Sequence, residues 1–81
     1  MYQLEFIDEQ SGKKLRNERF KNKDEFERMK TVFEEENEEM TVIDSNKNVL
    51  NAVYVRKEAV EKNGRFICRV YFSVTSSLHL I

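Results

Sequence analysis

The sequence has no proline and no tryptophan, and only two glycines, one cysteine and one histidine among its 81 residues. Without proline, no element is interrupted by a missing N–H donor, so strands and helices can run long. The turns must then come from Gly12, Gly64 and the asparagines. A lone Cys68 excludes an internal disulfide and a cysteine-rich zinc site, and it agrees with a reducing, cytoplasmic setting. The longest apolar run covers only residues 52–55, far short of the roughly 20 residues a spanning helix needs. The opening MYQLEFIDEQ has neither the basic region nor the apolar region of a secretion signal. No association with a membrane is expected.

The same scarcity bears on catalysis. A nucleophilic Ser, Cys or Lys needs a neighbouring base. The one histidine, His79, lies among the last three residues of the sequence, and Cys68 alternates with Phe66 and Val70 on an apolar face, where a thiol is inert. Carboxylates abound in EEENEE, but a solvated run gives no pair of carboxyls in contrasting environments for general acid and base roles. The run also lacks the Asp, Asn and Gly spacing of a calcium loop, and each glycine stands alone, so no phosphate-cradling loop is present. No enzyme, cofactor or metal is expected.

What is present suffices for one folded domain spanning residues 1–81: 40% hydrophobic residues, six Phe and three Tyr, with 36% charged residues to solvate the outside. The formal net charge is −1, yet the charge is segregated along the chain. Residues 13–23 carry six bases and one acid, and residues 24–44 carry nine acids and two bases. Opposite fields of this kind can orient a partner, although on most small domains they only solvate a face.

Periodicity locates the elements. YQLEFID alternates apolar and polar residues as a half-buried strand does, and KKLRNERF pairs back onto it across a loop of residues 9–12. That closure sets Asp8 opposite Lys13, Phe6 opposite Leu15 and Glu5 opposite Arg16. Over residues 22–39 the period becomes helical, with Phe26, Met29 and Phe33 on one face, Asn22 as N-cap, and Asp24 and Glu25 at the positive end of the dipole. The acids Glu34, Glu35, Glu36, Glu38 and Glu39 would then crowd the helix C-terminus, where the dipole disfavours them. Two strands follow, MTVID and VLNAVYV, joined by SNKN.

The stretch from residue 56 to 74, RKEAVEKNGRFICRVYFSV, admits two folds. RKEAVEKN is a short helix over about residues 56–63 if its helix formers decide, with Gly64 at the C-terminus. It is a strand if Asn63-Gly64 forms a two-residue hairpin turn, the strongest short hairpin signal there is. The hairpin register pairs Glu58 with Arg69, Arg56 with Tyr71 and Tyr54 with Ser73 on one face, and Ala59 with Cys68, Val55 with Phe72 and Val53 with Val74 on the other. The hairpin is preferred because it makes one continuous apolar stripe. The expected fold is therefore α+β, ββαβββ, a mostly antiparallel five-stranded sheet with one helix packed on the face that carries Phe66, Cys68, Val70, Phe72 and Val74. Leu78 and Leu80 keep that parity, so the tail extends the last strand, along an edge or against a second copy.

Two surfaces follow. The acidic row Glu34, Glu35, Glu36, Glu38 and Glu39 suits a basic protein partner. Tyr54, Arg56, Arg69 and Tyr71 on the open sheet face, extended by Lys14 and Arg16, suit unpaired bases and phosphates. Elimination favours a non-catalytic interaction module that binds a protein partner and self-associates, as a homodimer, through a sheet edge or the open face. Single-stranded nucleic-acid binding ranks second, since the net charge is not basic.

Overall fold

A computed structural model describes residues 1–34 and 38–79, and the side chains of residues 77–79 are not part of that description. The fold is α+β: among the described residues five strands form one sheet and a single helix packs against it. In chain order the elements are β1 (Tyr2–Asp8), β2 (Lys14–Phe20), α1 (Lys23–Thr31), β3 (Glu39–Ile43), β4 (Asn48–Lys62) and β5 (Arg65–His79). The strand order across the sheet is β2-β1-β5-β4-β3. The β1–β2, β3–β4 and β4–β5 pairs are antiparallel, whereas β1 and β5 run parallel. The last strand is thus central over residues 66–72 and not the edge strand expected from the tail. Leu78 lies opposite Val49 near the end of β5, and Leu80 lies outside the described residues.

Residues 56–62 are strand, so the hairpin is formed and the short-helix alternative is not. The turn explains the outcome: Asn63 and Gly64 have φ of 52° and 76°, the pair of positive values that a type I′ turn requires and that Asn-Gly supplies at least cost. From that turn the register runs as expected through Glu58↔Arg69 to Arg56↔Tyr71. It then shifts between Tyr54 and Arg56, so that Tyr54 faces Phe72 and Val53 faces Ser73. Val55 is the extra residue of a bulge, and a one-residue slip exchanges the faces of everything beyond it. Tyr54 was expected on the open face; it is 5% exposed and belongs to the core.

A second shift corrects the first hairpin. Asp8 does pair with Lys13 through a backbone bond of 2.9 Å, but Phe6 stands opposite Arg16 and Glu5 opposite Asn17. The irregularity lies between Phe6 and Ile7, and Leu15, unpaired in the ladder, turns into the core at 8% exposure.

The helix is shorter than the periodicity implied. Asn22 Oδ1 accepts from the Asp24 backbone N–H at 2.7 Å and starts it. It ends at Thr31, where Val32 N–H donates to Met29 O and Phe33 N–H to Lys30 O, tightening the last turn. Phe33 then leaves the helix and packs among Phe6, Tyr54 and Phe72. Glu34, Glu38 and Glu39 therefore lie beyond the helix, and Glu35 and Glu36 are outside the described residues. The helix C-terminus carries Arg28 and Lys30, and Lys57 Nζ donates to Lys30 O at 3.1 Å, the charge arrangement the dipole favours.

The sheet curls. Ser45 N–H donates to Leu15 O at 2.9 Å, and Arg16 Nη1 to Ile43 O at 3.4 Å, so one end of β2 meets the end of β3 from the opposite edge. The concave side holds Leu4, Phe6, Val42, Leu50, Ala52, Cys68, Val70 and Phe72, with Phe26 of α1 tilted against Tyr2 at 5.2 Å between centroids. Among the described residues no helix covers the convex side.

Candidate functional site

β3 pairs with β4 only along residues 49–53 of the latter, and β5 covers the other edge of β4 throughout. Among the described residues, the outer edge of β4 from Arg56 to Lys62 has no strand partner. The outward-facing N–H and C=O groups, those of Lys57, Ala59 and Glu61, are available to another chain, while those of the alternate residues bond to β5. Five of its seven residues are charged: Arg56, Lys57, Glu58, Glu61 and Lys62. Alternation places Lys57, Ala59 and Glu61 on the concave side with Cys68 and Val70, and Arg56, Glu58, Val60 and Lys62 on the convex side with Tyr71 and Ile67.

Next to this edge on the concave side lies an apolar groove of about 370 Å³, between α1 and the β4–β5 hairpin. Phe26, Lys23, Glu27 and Lys30 come from the helix, and Ala59, Glu61, Phe66 and Cys68 from the strands. Phe66 is 41% exposed there although its ring stacks on Tyr2 at 5.4 Å. The nine-residue helix is too short to cover the full length of the hairpin, which accounts for the exposure. Cys68 is 1% exposed, and burial raises its thiol pKa, so it is a packing residue in the groove floor.

The convex face is polar. Its centre is Glu5, 6% exposed, whose Oε2 lies 3.4 Å from Lys14 Nζ and 3.8 Å from Arg69 Nε, while Oε1 accepts from Gln3 Nε2 at 3.2 Å. Lys62, Asn63, Arg65 and Ile67 complete a groove of about 540 Å³ around it. Further along β5, the Arg56 guanidinium lies 3.8 Å over the Tyr71 ring, and the Tyr71 hydroxyl donates to Glu58 Oε2 at 3.3 Å.

Of the residues the sequence offered for base stacking, Lys14 and Arg69 meet on Glu5, and Arg56 and Tyr71 meet as a stack. Tyr54 is in the core. Arg16 is on the concave side of β2, paired with Glu18, because the irregularity beside Phe6 turns it away from the open face. Lys62 and Arg65 flank the hairpin turn on the convex side and were missed; their signal was the strand register itself, which places Lys62 opposite Arg65. Of the acidic row, Glu34 and Glu38 are exposed and Glu39 opens β3 opposite Val53, while Glu35 and Glu36 lie outside the described residues. Among the described residues no group of three His, Cys, Asp or Glu side chains is placed to hold a metal ion, and no helix is long and apolar enough to cross a membrane. No protein-family model, curated protein or solved structure matches the chain.

Proposed function

We propose that this protein is a non-catalytic interaction module whose protein partner is a second copy of itself, joined edge to edge through residues 56–62 of β4. The observation that carries this reading is the seven-residue edge, without a strand partner among the described residues, and the order of its charges. Antiparallel pairing about a two-fold axis at Ala59 sets Lys57 of one copy opposite Glu61 of the other, and does so twice. Ala59 meets its own symmetry mate at the centre, where no side chain keeps the strands apart.

Charges on an edge ordinarily deter pairing with arbitrary strands. Here a foreign strand meets unmatched charge, while a second copy meets its complement, so the same residues discourage promiscuous addition and favour self-recognition. On the convex side the axis sets Arg56 opposite Lys62, a like-charge contact. Glu58 offsets it, because it lies diagonal to Lys62 of the mate and its Oε2 is 3.9 Å from Arg56 Nη1 within one copy. The axis also brings the two apolar grooves onto one side of the joined sheet, between the two helices.

Sedimentation velocity across a concentration series tests the proposal. The expected result is a monomer–dimer equilibrium in the micromolar range that Lys57→Glu moves towards monomer. A chain that stays monomeric up to about millimolar concentration, or a dimer indifferent to Lys57→Glu, overturns it.

A further inference from the structure

The convex face lies on the other side of the sheet from the apolar groove, and it shares Arg56 and Lys62 with the β4 edge proposed for pairing. Lys14, Lys62, Arg65 and Arg69 surround one carboxylate, Glu5, and Arg19 stands on the same side opposite Gln3. Lys62 and Arg65 form no ion pair among the described residues, and both are exposed. The Arg69 side chain is two residues from Tyr71 along β5, a step of about 6.6 Å at strand rise. There the guanidinium of Arg56 lies over the Tyr71 ring, with the Arg56 side chain 51% exposed. A row of cations thus ends at a partly exposed guanidinium set 3.8 Å over an aromatic ring.

We infer that this face binds single-stranded nucleic acid, its phosphates along Lys62, Arg65, Arg69 and Lys14 and one base stacked on the Arg56 guanidinium. Phosphates need mobile cations, and the two unpaired ones at the hairpin turn provide first contact. A base needs a flat partner, and a guanidinium plane backed by an aromatic ring is one. Glu5 acts as an internal competitor: it holds Lys14 and Arg69 against the phosphates, so in the wild type Lys62 and Arg65 supply the main phosphate contacts. Glu58 and Glu9, within 4 Å of Arg56, restrain that side chain in the same way. These carboxylates keep the affinity modest and make it adjustable.

The test is fluorescence anisotropy of a labelled twelve-residue oligothymidylate over a salt series, on the intact chain and on variants whose circular dichroism is unchanged. Lys62→Ala with Arg65→Ala abolishes binding or weakens it by tenfold or more. Glu5→Gln, which preserves shape, tightens binding and steepens the log–log salt slope from about −1.4 towards about −2.8, as contacts rise from two phosphates to four. Arg56→Lys keeps the charge and loses the plane, and lowers affinity several-fold. Heparin, a polyanion without bases, binds the wild type but is indifferent to Arg56→Lys. No binding at 20 mM salt overturns the inference, as does an affinity unmoved by the Lys62 and Arg65 changes. Equal loss of heparin and oligothymidylate on Arg56→Lys overturns the base-stacking assignment and leaves a polyanion site only.

Discussion

Tyr54 lies opposite Phe72 in the core with ring centroids 6.5 Å apart, while Arg56, two residues on, lies on the opposite face over the ring of Tyr71. In a regular strand residues 54 and 56 would share a face. The bulge at Val55 separates them and so divides β4 into a core half and an edge half. Deleting Val55 makes Tyr54 and Arg56 neighbours, so plain alternation keeps them on opposite faces and leaves Leu50, Ala52, Lys57 and Ala59 on their present side. Urea unfolding of that deletion is therefore expected to show a modest loss, about 2 kcal/mol or less, and Val55→Ala one of about 1 kcal/mol or less. A deletion that removes the whole stability of a small domain, about 5 kcal/mol or more, contradicts the assignment of the bulge.

Phe33 bridges the end of α1 to the sheet, with its ring 5.6 Å from both Phe6 and Phe72. Phe33→Ala and Phe72→Ala are each expected to cost about 3–5 kcal/mol, and the double variant less than the sum, because the two rings share one contact. Additive losses in denaturant unfolding contradict that coupling.

Much of this fold was legible in the sequence, for reasons that differ from element to element. Asn63-Gly64 forced the turn because positive φ at both positions is cheap for that dipeptide alone, and this overruled the helix propensity of RKEAVEKN. The bulges were not legible. A bulge changes face without changing composition, and Val55 reads as well inside a strand as at an irregularity. The length of α1 was hidden too, because Phe33 keeps helical spacing after the helix has ended. The parallel pairing of β1 with β5 joins residues more than sixty apart, where no local signal operates. For the candidate surfaces, charge order on residues 56–62 was visible as a string of letters, but its place on an edge depends on β3 pairing, among the described residues, only with residues 49–53.

Cys68 reports on the groove floor. At 1% exposure, with its pKa raised by burial, it is expected to react with Ellman's reagent more slowly than an unfolded-chain thiol by about a hundredfold or more, and fully in guanidinium. Immediate reaction of the native protein contradicts the packing of β5 against α1.

Asp44 organises the β3–β4 turn. Its Oδ2 accepts from the Asn48 side chain at 3.0 Å and its Oδ1 from the Asn46 and Asn48 backbone N–H groups. The Asn48 side-chain bond is the largest cause of its lowered pKa. A carboxyl depressed in the fold stabilises it above the unfolded value of about 3.9 and loses that contribution as pH falls through the lower folded value. The stability gap between wild type and Asp44→Ala is therefore expected to be constant near neutrality and to narrow below about pH 4. A gap unchanged between pH 6 and pH 2 contradicts the role of the ionised carboxylate.

The central claim is edge-to-edge recognition through Lys57 and Glu61, and a mixing experiment tests it most directly. Lys57→Glu and Glu61→Lys each set like charges across the two-fold axis, so each variant alone is expected to sediment as a monomer. Mixed in equal amounts they restore both opposite-charge pairs, and a heterodimer is expected in the sedimentation profile. If the mixture stays as monomeric as its parts, or if either variant alone dimerises like wild type, β4 is not the self-recognition edge.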